Sequence, residues 1–118
     1  MGIWIGEPKL TAPETVTWKY LANRTQNSRA VGGRLYLTGE RLLFEPTHID
    51  ALTGGRSWQT PLTSITAVGT QAPTGGMFSG GLRTRLRIDL RDGGTELFVV
   101  NKMDVPLAVL QRAIAESA

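Results

Sequence analysis

Between Glu14 and Val100 the sequence alternates apolar and polar residues with the two-residue period of β-strands. The clearest example is residues 82–91, where Leu, Thr and Ile residues alternate with charged residues. Glycine-rich turn signals, such as residues 53–55 and 92–94, separate the alternating segments. This pattern predicts a mainly β protein of about seven short antiparallel strands.

Only the C-terminal end has a helical period. Leu107, Leu110 and Ile114 recur at i, i+3 and i+7, and Asp104 is the predicted N-cap. Seven strands in 118 residues leave open sheet edges and open ends that need protection. We therefore expect an α+β, mainly β, bent seven-stranded antiparallel sandwich or partly open barrel, capped by one C-terminal α-helix.

The alternation also predicts which side chains face the core. Alternate residues from Val16 to Ala22 are expected to face inward, and the polar run 23–29 is interpreted as a loop. The Gly32-Gly33 pair predicts a bulge or a sharp bend, and residues 47–55 predict a longer loop. In the second strand the expected inward residues are Val31, Leu35 and Leu37, and the expected outward residues are Arg34, Tyr36 and Thr38.

Composition excludes several classes of protein. Without cysteine the chain has neither disulfides nor thiolate metal sites. No apolar run approaches the ~20 residues of a membrane-spanning helix, and no signal peptide is recognisable, so we expect a cytoplasmic chain whose membrane contact would be peripheral. His48 is the only histidine, and no phosphate-binding loop or nucleophile elbow occurs. The sequence therefore predicts no enzyme, no metal site and no cofactor.

Residues 33–46, Gly-Arg-Leu-Tyr-Leu-Thr-Gly-Glu-Arg-Leu-Leu-Phe-Glu-Pro, resemble the characteristic hairpin of GRAM domains. Residues 61–68 look like the family's Pro-Leu-x-x-Ile-x-x-Val segment, and residues 92–99 resemble its penultimate hairpin. The resemblance, to a GRAM domain of bacterial type, covers roughly residues 16–114 and implies a pleckstrin-homology-like fold. On this basis we expect residues 14–118 to form the domain and residues 1–13 to be an N-terminal extension.

The resemblance also implies a kind of function. Many members of the superfamily bind acidic lipid headgroups with basic residues around the loop that joins the first two strands, whereas others bind peptides or assemble with themselves. In this chain Arg24 and Arg29 are expected in that loop, with Lys19 and Arg34 on the flanking strands.

Two further features are candidate contacts. Arg83, Arg85 and Arg87 are spaced to share one sheet face, where their guanidinium groups could bind a phosphate or carboxylate. Alternatively they pair with acidic residues of neighbouring strands, such as Glu96. Met77-Phe78, between glycine pairs, could contact a bilayer, a ligand or a partner, or Phe78 could fold back onto the barrel.

The sequence therefore predicts a non-catalytic binding or adaptor module. Its ligand is expected to be anionic lipid. The alternative is a protein-interaction or self-assembly module that uses a sheet edge, the Trp4 segment or the arginine face, and a homo-oligomer would fit it. Nucleic acid is disfavoured, because only 7% of the residues are aromatic and the paired stacking residues of RNA-binding sheets are missing.

Overall fold

A computed structural model describes residues 7–26, 29–73 and 83–117. The described elements are β1 (Val16–Gln26), β2 (Arg29–Thr38), β3 (Arg41–Pro46), α1 (His48–Leu52), β4 (Trp58–Pro61), a 3₁₀ turn (Leu62–Ser64), β5 (Ile65–Gln71), β6 (Arg85–Leu90), β7 (Thr95–Val99) and α2 (Asp104–Ser117). Within this part of the chain, neither helix has the length and apolar character needed to cross a bilayer.

The seven strands form one antiparallel sheet in the order β4-β3-β2-β1-β7-β6-β5. The long strand β1 joins its two halves. It pairs with β2 along most of its length and with β7 at Asn23↔Val99 and Arg24↔Phe98. β4 and β5 stand at opposite ends of this order, so the sheet is not closed. The predicted fold class, seven antiparallel strands with a C-terminal helix, is confirmed.

The core lies between the two halves of the bent sheet. Phe98 of β7 meets Phe44 of β3 and Trp58 of β4, with ring centroids 5.7 and 5.8 Å apart. Leu110 of α2 is buried in the same cluster, and Gln111 donates a hydrogen bond to the Val68 carbonyl of β5 at 2.9 Å. The apolar stripe predicted for α2 therefore covers the core beside β5.

The prediction of a loop over residues 23–29 is wrong for residues 23–26 and 29, which lie in strands, while residues 27–28 lie outside the described residues. β1 continues to Gln26, which pairs with Arg29 at the start of β2. Distant parts of the chain satisfy the polar side chains of this region. Gln26, for example, donates to the Gly54 carbonyl and accepts from the Arg56 amide. These long-range partners remove the need for the local hydrogen bonds on which the loop prediction depended.

The bulge predicted at Gly32-Gly33 is also absent from the pairing of β1 with β2. The register passes through Asn23↔Gly32 and Ala22↔Gly33 without a shift. Gly33 is needed for a different reason: a Cβ atom there would overlap the carbonyl oxygen of Glu45 on β3. The glycine permits a close approach of two strands rather than an irregular strand.

Tyr36 and Thr38 lie on the outer face of β2, as predicted, but they are fully buried. For Thr38 the cause is the segment before β1, because Glu14 lies against it. Glu14 accepts hydrogen bonds from the Thr38 hydroxyl at 2.7 Å and from Arg41 at 2.8 Å. Burial raises the pKa of Tyr36, and its hydrogen bond with Arg34 partly offsets that effect.

Residues 47–55, predicted as a loop, contain the short helix α1. Thr47 is its N-cap: the Thr47 hydroxyl accepts from the Asp50 amide at 3.0 Å and donates to the Asp50 carboxylate at 2.7 Å. Thr-x-x-Asp is a sequence signature of a helix N-terminus, which the loop interpretation overlooked. The reciprocal bond of a full capping box is replaced, because the Thr47 amide donates to the Gly32 carbonyl at 2.8 Å.

Candidate functional site

Arg24 is an internal residue of the folded chain. It shares the inward face of β1 with Trp18 and Tyr20, because residues two apart lie on one side of a strand. Its guanidinium donates to Glu96 at 2.8 Å, with only 14% and 18% of the two side chains exposed, and its Cζ lies over the Trp58 ring, 5.9 Å from the ring centroid. The predicted pairing partner Glu96 is thus taken by Arg24.

Arg29 connects the start of β2 to α1. Its guanidinium donates to the carbonyl and the hydroxyl of Thr53, each at 2.6 Å, and to the Asp50 carboxylate at 3.3 Å. These bonds hold the segment after β3 against the β1–β2 hairpin. An anion that bound Arg29 would compete with them.

The arginines of β6 do not form one exposed face. Arg85 is 2% exposed and donates to the Thr25 hydroxyl of β1 at 3.1 Å, so the prediction that it points to solvent is wrong. Arg87 is partly exposed and donates to Asp89 at 2.9 Å and to Gln71 at 2.8 Å. The Arg87 guanidinium lowers the pKa of Asp89.

Met77, Phe78 and Trp4 lie outside the described residues.

The remaining three predicted cations line two neighbouring surface cavities. Arg83 precedes β6 and lines a cavity of about 190 Å³, while Lys19 and Arg34 line an adjoining one of about 370 Å³. Leu21 and Asn101 line both cavities, so the two cavities are neighbours on the surface. We call the two cavities together the basic groove. Its polar and exposed lining residues include Lys19, Leu21, Asn23, Arg34, Arg83 and Asn101, with Gly32 and Thr47 beside α1.

The cations of the basic groove form no ion pair with a described residue, although Arg34 hydrogen-bonds the Tyr36 hydroxyl and lies opposite Glu45 in the register of β2 with β3. Among the residues that the structure describes, no carboxylate lies within ion-pair distance of Lys19, Arg34 or Arg83. Leu21 stands among them with 60% of its surface exposed. Asn101 is fixed beside them, because its carbonyl accepts a 2.5 Å hydrogen bond from the Tyr20 hydroxyl.

This arrangement suits an amphiphilic anion. Guanidinium and ammonium groups bind phosphate oxygens, and side-chain amides such as those of Asn23 and Asn101 can donate further hydrogen bonds. An exposed leucine offers apolar contact in the same place. A different cavity of about 370 Å³, on the outer face of β3, lacks this character because Glu7 and Glu45 line it together with Lys9 and Arg41.

Sequence reasoning missed α1 as an exposed feature. Its Ile49 and Leu52 are 74% and 88% exposed. The helix adjoins the basic groove: its N-cap Thr47 lines the groove, and a Cβ atom on Gly32, another lining residue, would lie 3.1 Å from the Asp50 carboxylate. The Thr-x-x-Asp signature at Thr47, followed by two apolar residues three apart, was the available signal.

The fold resembles known structures although the sequence does not reveal a relative. No protein-family model and no curated protein matches the chain. The C-terminal domain of an unknown protein from Leishmania infantum is similar in structure, with a TM-score of 0.69, 15% identity, and coverage of 88% of this chain and 87% of that one. The Vps36 N-terminal PH domain gives a TM-score of 0.64 and 16% identity, with 94% and 86% covered. The predicted pleckstrin-homology-like fold is thereby confirmed.

Proposed function

We propose that this chain is a non-catalytic binding module of the GRAM type, which docks on anionic phospholipid surfaces through the basic groove. The observation that carries the proposal is the set of three cations around exposed Leu21 that form no ion pair within the described ranges. The β2–β3 hairpin, whose sequence resembles the GRAM hairpin, supplies Arg34. The proposal does not require Arg24, Arg29, Arg85 or Arg87, which have partners inside the fold.

The expected strength of such docking follows from the charges. A basic residue near an anionic membrane surface contributes about 1 kcal/mol, so three of them strengthen binding about 100-fold. The attraction decreases with added salt, because exposed charges are screened over about 10 Å at 0.1 M. Leu21 adds apolar contact at the headgroup boundary.

We further propose that the chain works in the cytoplasm and reaches the membrane peripherally. Anionic phospholipids are concentrated in the cytoplasmic leaflet, where basic surface groups are attracted to them. The domain is proposed to comprise residues 14–118, with residues 7–13 held against the sheet through the bond from Arg41 to the Lys9 carbonyl.

Vesicle sedimentation tests the proposal. We expect the chain to sediment with vesicles of phosphatidylcholine mixed with phosphatidylserine, less at higher salt, and not with phosphatidylcholine alone. Lys19→Gln/Arg83→Gln should bind at least tenfold more weakly, because each cation contributes about 1 kcal/mol. The control Arg91→Gln/Arg112→Gln removes the same charge at exposed positions outside the groove and should bind nearly as well as the wild type.

Equal losses in the two double variants would overturn the basic groove as the docking site. Absence of sedimentation with every vesicle would overturn lipid binding altogether. If the chain then formed oligomers as its concentration rose in analytical ultracentrifugation, self-assembly would replace lipid binding as the proposed function. Soluble glycerophosphoserine distinguishes a headgroup contact from general attraction to the surface, because only the former is displaced by it.

A further inference from the structure

α1 presents apolar side chains to solvent in a protein whose other large apolar residues are mostly covered. Ile49 and Leu52 are three residues apart and therefore lie on the same side of this short helix. They are 74% and 88% exposed, the two highest values among the exposed large apolar residues in the described ranges. Such a pair at a protruding turn has no role in the core.

The charges around α1 favour an anionic partner. Asp50 is the only acidic residue of the helix, and its carboxylate is engaged by Arg29 at 3.3 Å and by the Thr47 hydroxyl at 2.7 Å. Arg56, which follows the helix, is exposed and has no ion pair with a described residue. The acid of the helix is therefore paired, and Arg56 adds a positive charge four residues after the end of the helix.

The helix is also continuous with the basic groove. Its N-cap Thr47 lines the groove, and Gly32 of the groove lies beside Asp50. A surface that meets the cations of the groove can therefore extend over the helix that adjoins it.

We infer that α1 is a membrane-insertion tip: Ile49 and Leu52 enter the boundary between headgroups and acyl chains of an anionic bilayer while the basic groove holds its headgroups. This inference rests on the proposed function. A protein partner is disfavoured, because two side chains cover far less than the ~800 Å² that each partner of a stable protein complex buries. A bilayer is favoured, because shallow insertion of a few apolar residues beside cations is enough for peripheral attachment.

The absence of cysteine from the chain allows a direct test. A single Leu52→Cys substitution can be labelled with the environment-sensitive dye NBD. Its emission should shift to shorter wavelength when phosphatidylcholine–phosphatidylserine vesicles are added, and not with phosphatidylcholine vesicles. Ala115→Cys, labelled in the same way on the exposed surface of α2, should not respond.

Binding by unlabelled variants provides a second measurement. Ile49→Ser/Leu52→Ser should sediment with the anionic vesicles about tenfold more weakly than the wild type, because two apolar side chains leave the bilayer. Val105→Ser, a change at an exposed apolar residue of α2, should bind as the wild type does. Far-UV circular dichroism establishes that each variant is folded.

The outcomes separate this inference from the proposed function. Sedimentation of the wild type without an NBD shift at position 52 would overturn insertion and leave groove docking intact. Failure of the wild type to sediment would overturn both. An NBD shift that needs only increasing protein concentration, without vesicles, would overturn insertion in favour of contact with a second copy of the chain.

Discussion

The two faces of the β1–β2 hairpin use the same residue types in opposite ways. On the inner face Arg24 is bound to Glu96 and lies over the Trp58 ring. On the outer face Lys19 and Arg34 line an open groove and have no ion-pair partner among the described residues. Lys19 and Arg24 are five positions apart, an odd number, which places them on opposite sides of one strand.

The outer face is itself divided. Towards Thr38 it is covered by residues 7–14 and held by the ion pair between Glu14 and Arg41 at 2.8 Å. Towards Leu21 it is open, and that leucine is 60% exposed. The difference shows which cations stabilise the fold and which are accessible to a ligand, a distinction that net charge does not make.

The largest effect is expected on the inner face at Gly33. Gly33→Ala should lower the free energy of unfolding by about 3 kcal/mol, because the added methyl group overlaps the Glu45 carbonyl and β3 must move. Urea denaturation measures this loss of unfolding free energy. Gly39→Ala is the matched control: nothing lies within 4 Å of its added Cβ, so a change below about 0.5 kcal/mol is expected. Equal effects at both positions would contradict the close strand approach.

The second-largest loss of stability is expected when Arg24, the cation of the inner face, loses its carboxylate partner. Glu96→Ala leaves the mostly buried Arg24 guanidinium without its carboxylate and should cost about 2 kcal/mol in the same denaturation assay. Glu116→Ala breaks the exposed pair with Arg112, whose atoms are 3.8 Å apart, and should cost less than about 0.5 kcal/mol. If the two variants were equally stable, Arg24 would not be a structural residue.

In the covered part of the outer face, Glu14 should make the stability of the fold depend on pH. Hydrogen bonds from Arg41 and Thr38 lower the pKa of Glu14 from 4.5 to about 2 in the folded chain. The lower folded pKa means that this stabilisation is complete above pH 4.5 and is lost as the pH falls towards 2. The fall in unfolding free energy over this range should therefore be shallower in Glu14→Gln. It should also be shallower in Arg41→Gln, but less so, because the hydrogen bond from Thr38 to Glu14 remains. If the stability of both variants fell with acid as steeply as that of the wild type, the ion pair between Glu14 and Arg41 would be excluded as the source of the pH dependence.

The smallest change in stability is expected in the open part of the outer face. Lys19→Gln/Arg83→Gln removes two cations with no carboxylate partner in the described ranges, so its unfolding free energy should stay within about 0.5 kcal/mol of the wild type. A loss above about 1 kcal/mol would mean that these cations stabilise the fold and would remove the contrast between the two faces.

Much of the fold could be predicted because it depends on local periodicity. The alternation from Leu86 to Leu90 and the stripe through Leu110 identified a strand and a helix of the structure. The hairpin signal at residues 92–94 is equally local, with Gly93 at φ 93° in the turn between β6 and β7. Such patterns need no knowledge of the rest of the chain.

The candidate site was less predictable because its composition depends on distant contacts. Glu96, 72 residues from Arg24, decides whether that arginine is accessible. Residues 7–14 bury Thr38, and alternation gives only the face on which a residue lies. Extending the first strand by alternation would have placed Arg24 with Trp18 and Tyr20, but the polar run 23–29 favoured a loop.

The central claim is that an anionic headgroup contacts the open part of the outer face. Its most direct test is a titration of the ¹⁵N-labelled chain with short-chain phosphatidylserine, followed by the chemical shifts of backbone amides and arginine side chains. The account predicts that shifts concentrate at residues 19–23, 32–34, 83 and 99–101, while the Arg24 side chain changes little. Shifts centred on Arg87, on the edge strand β4 or on α2, with residues 19–23 unchanged, would contradict it.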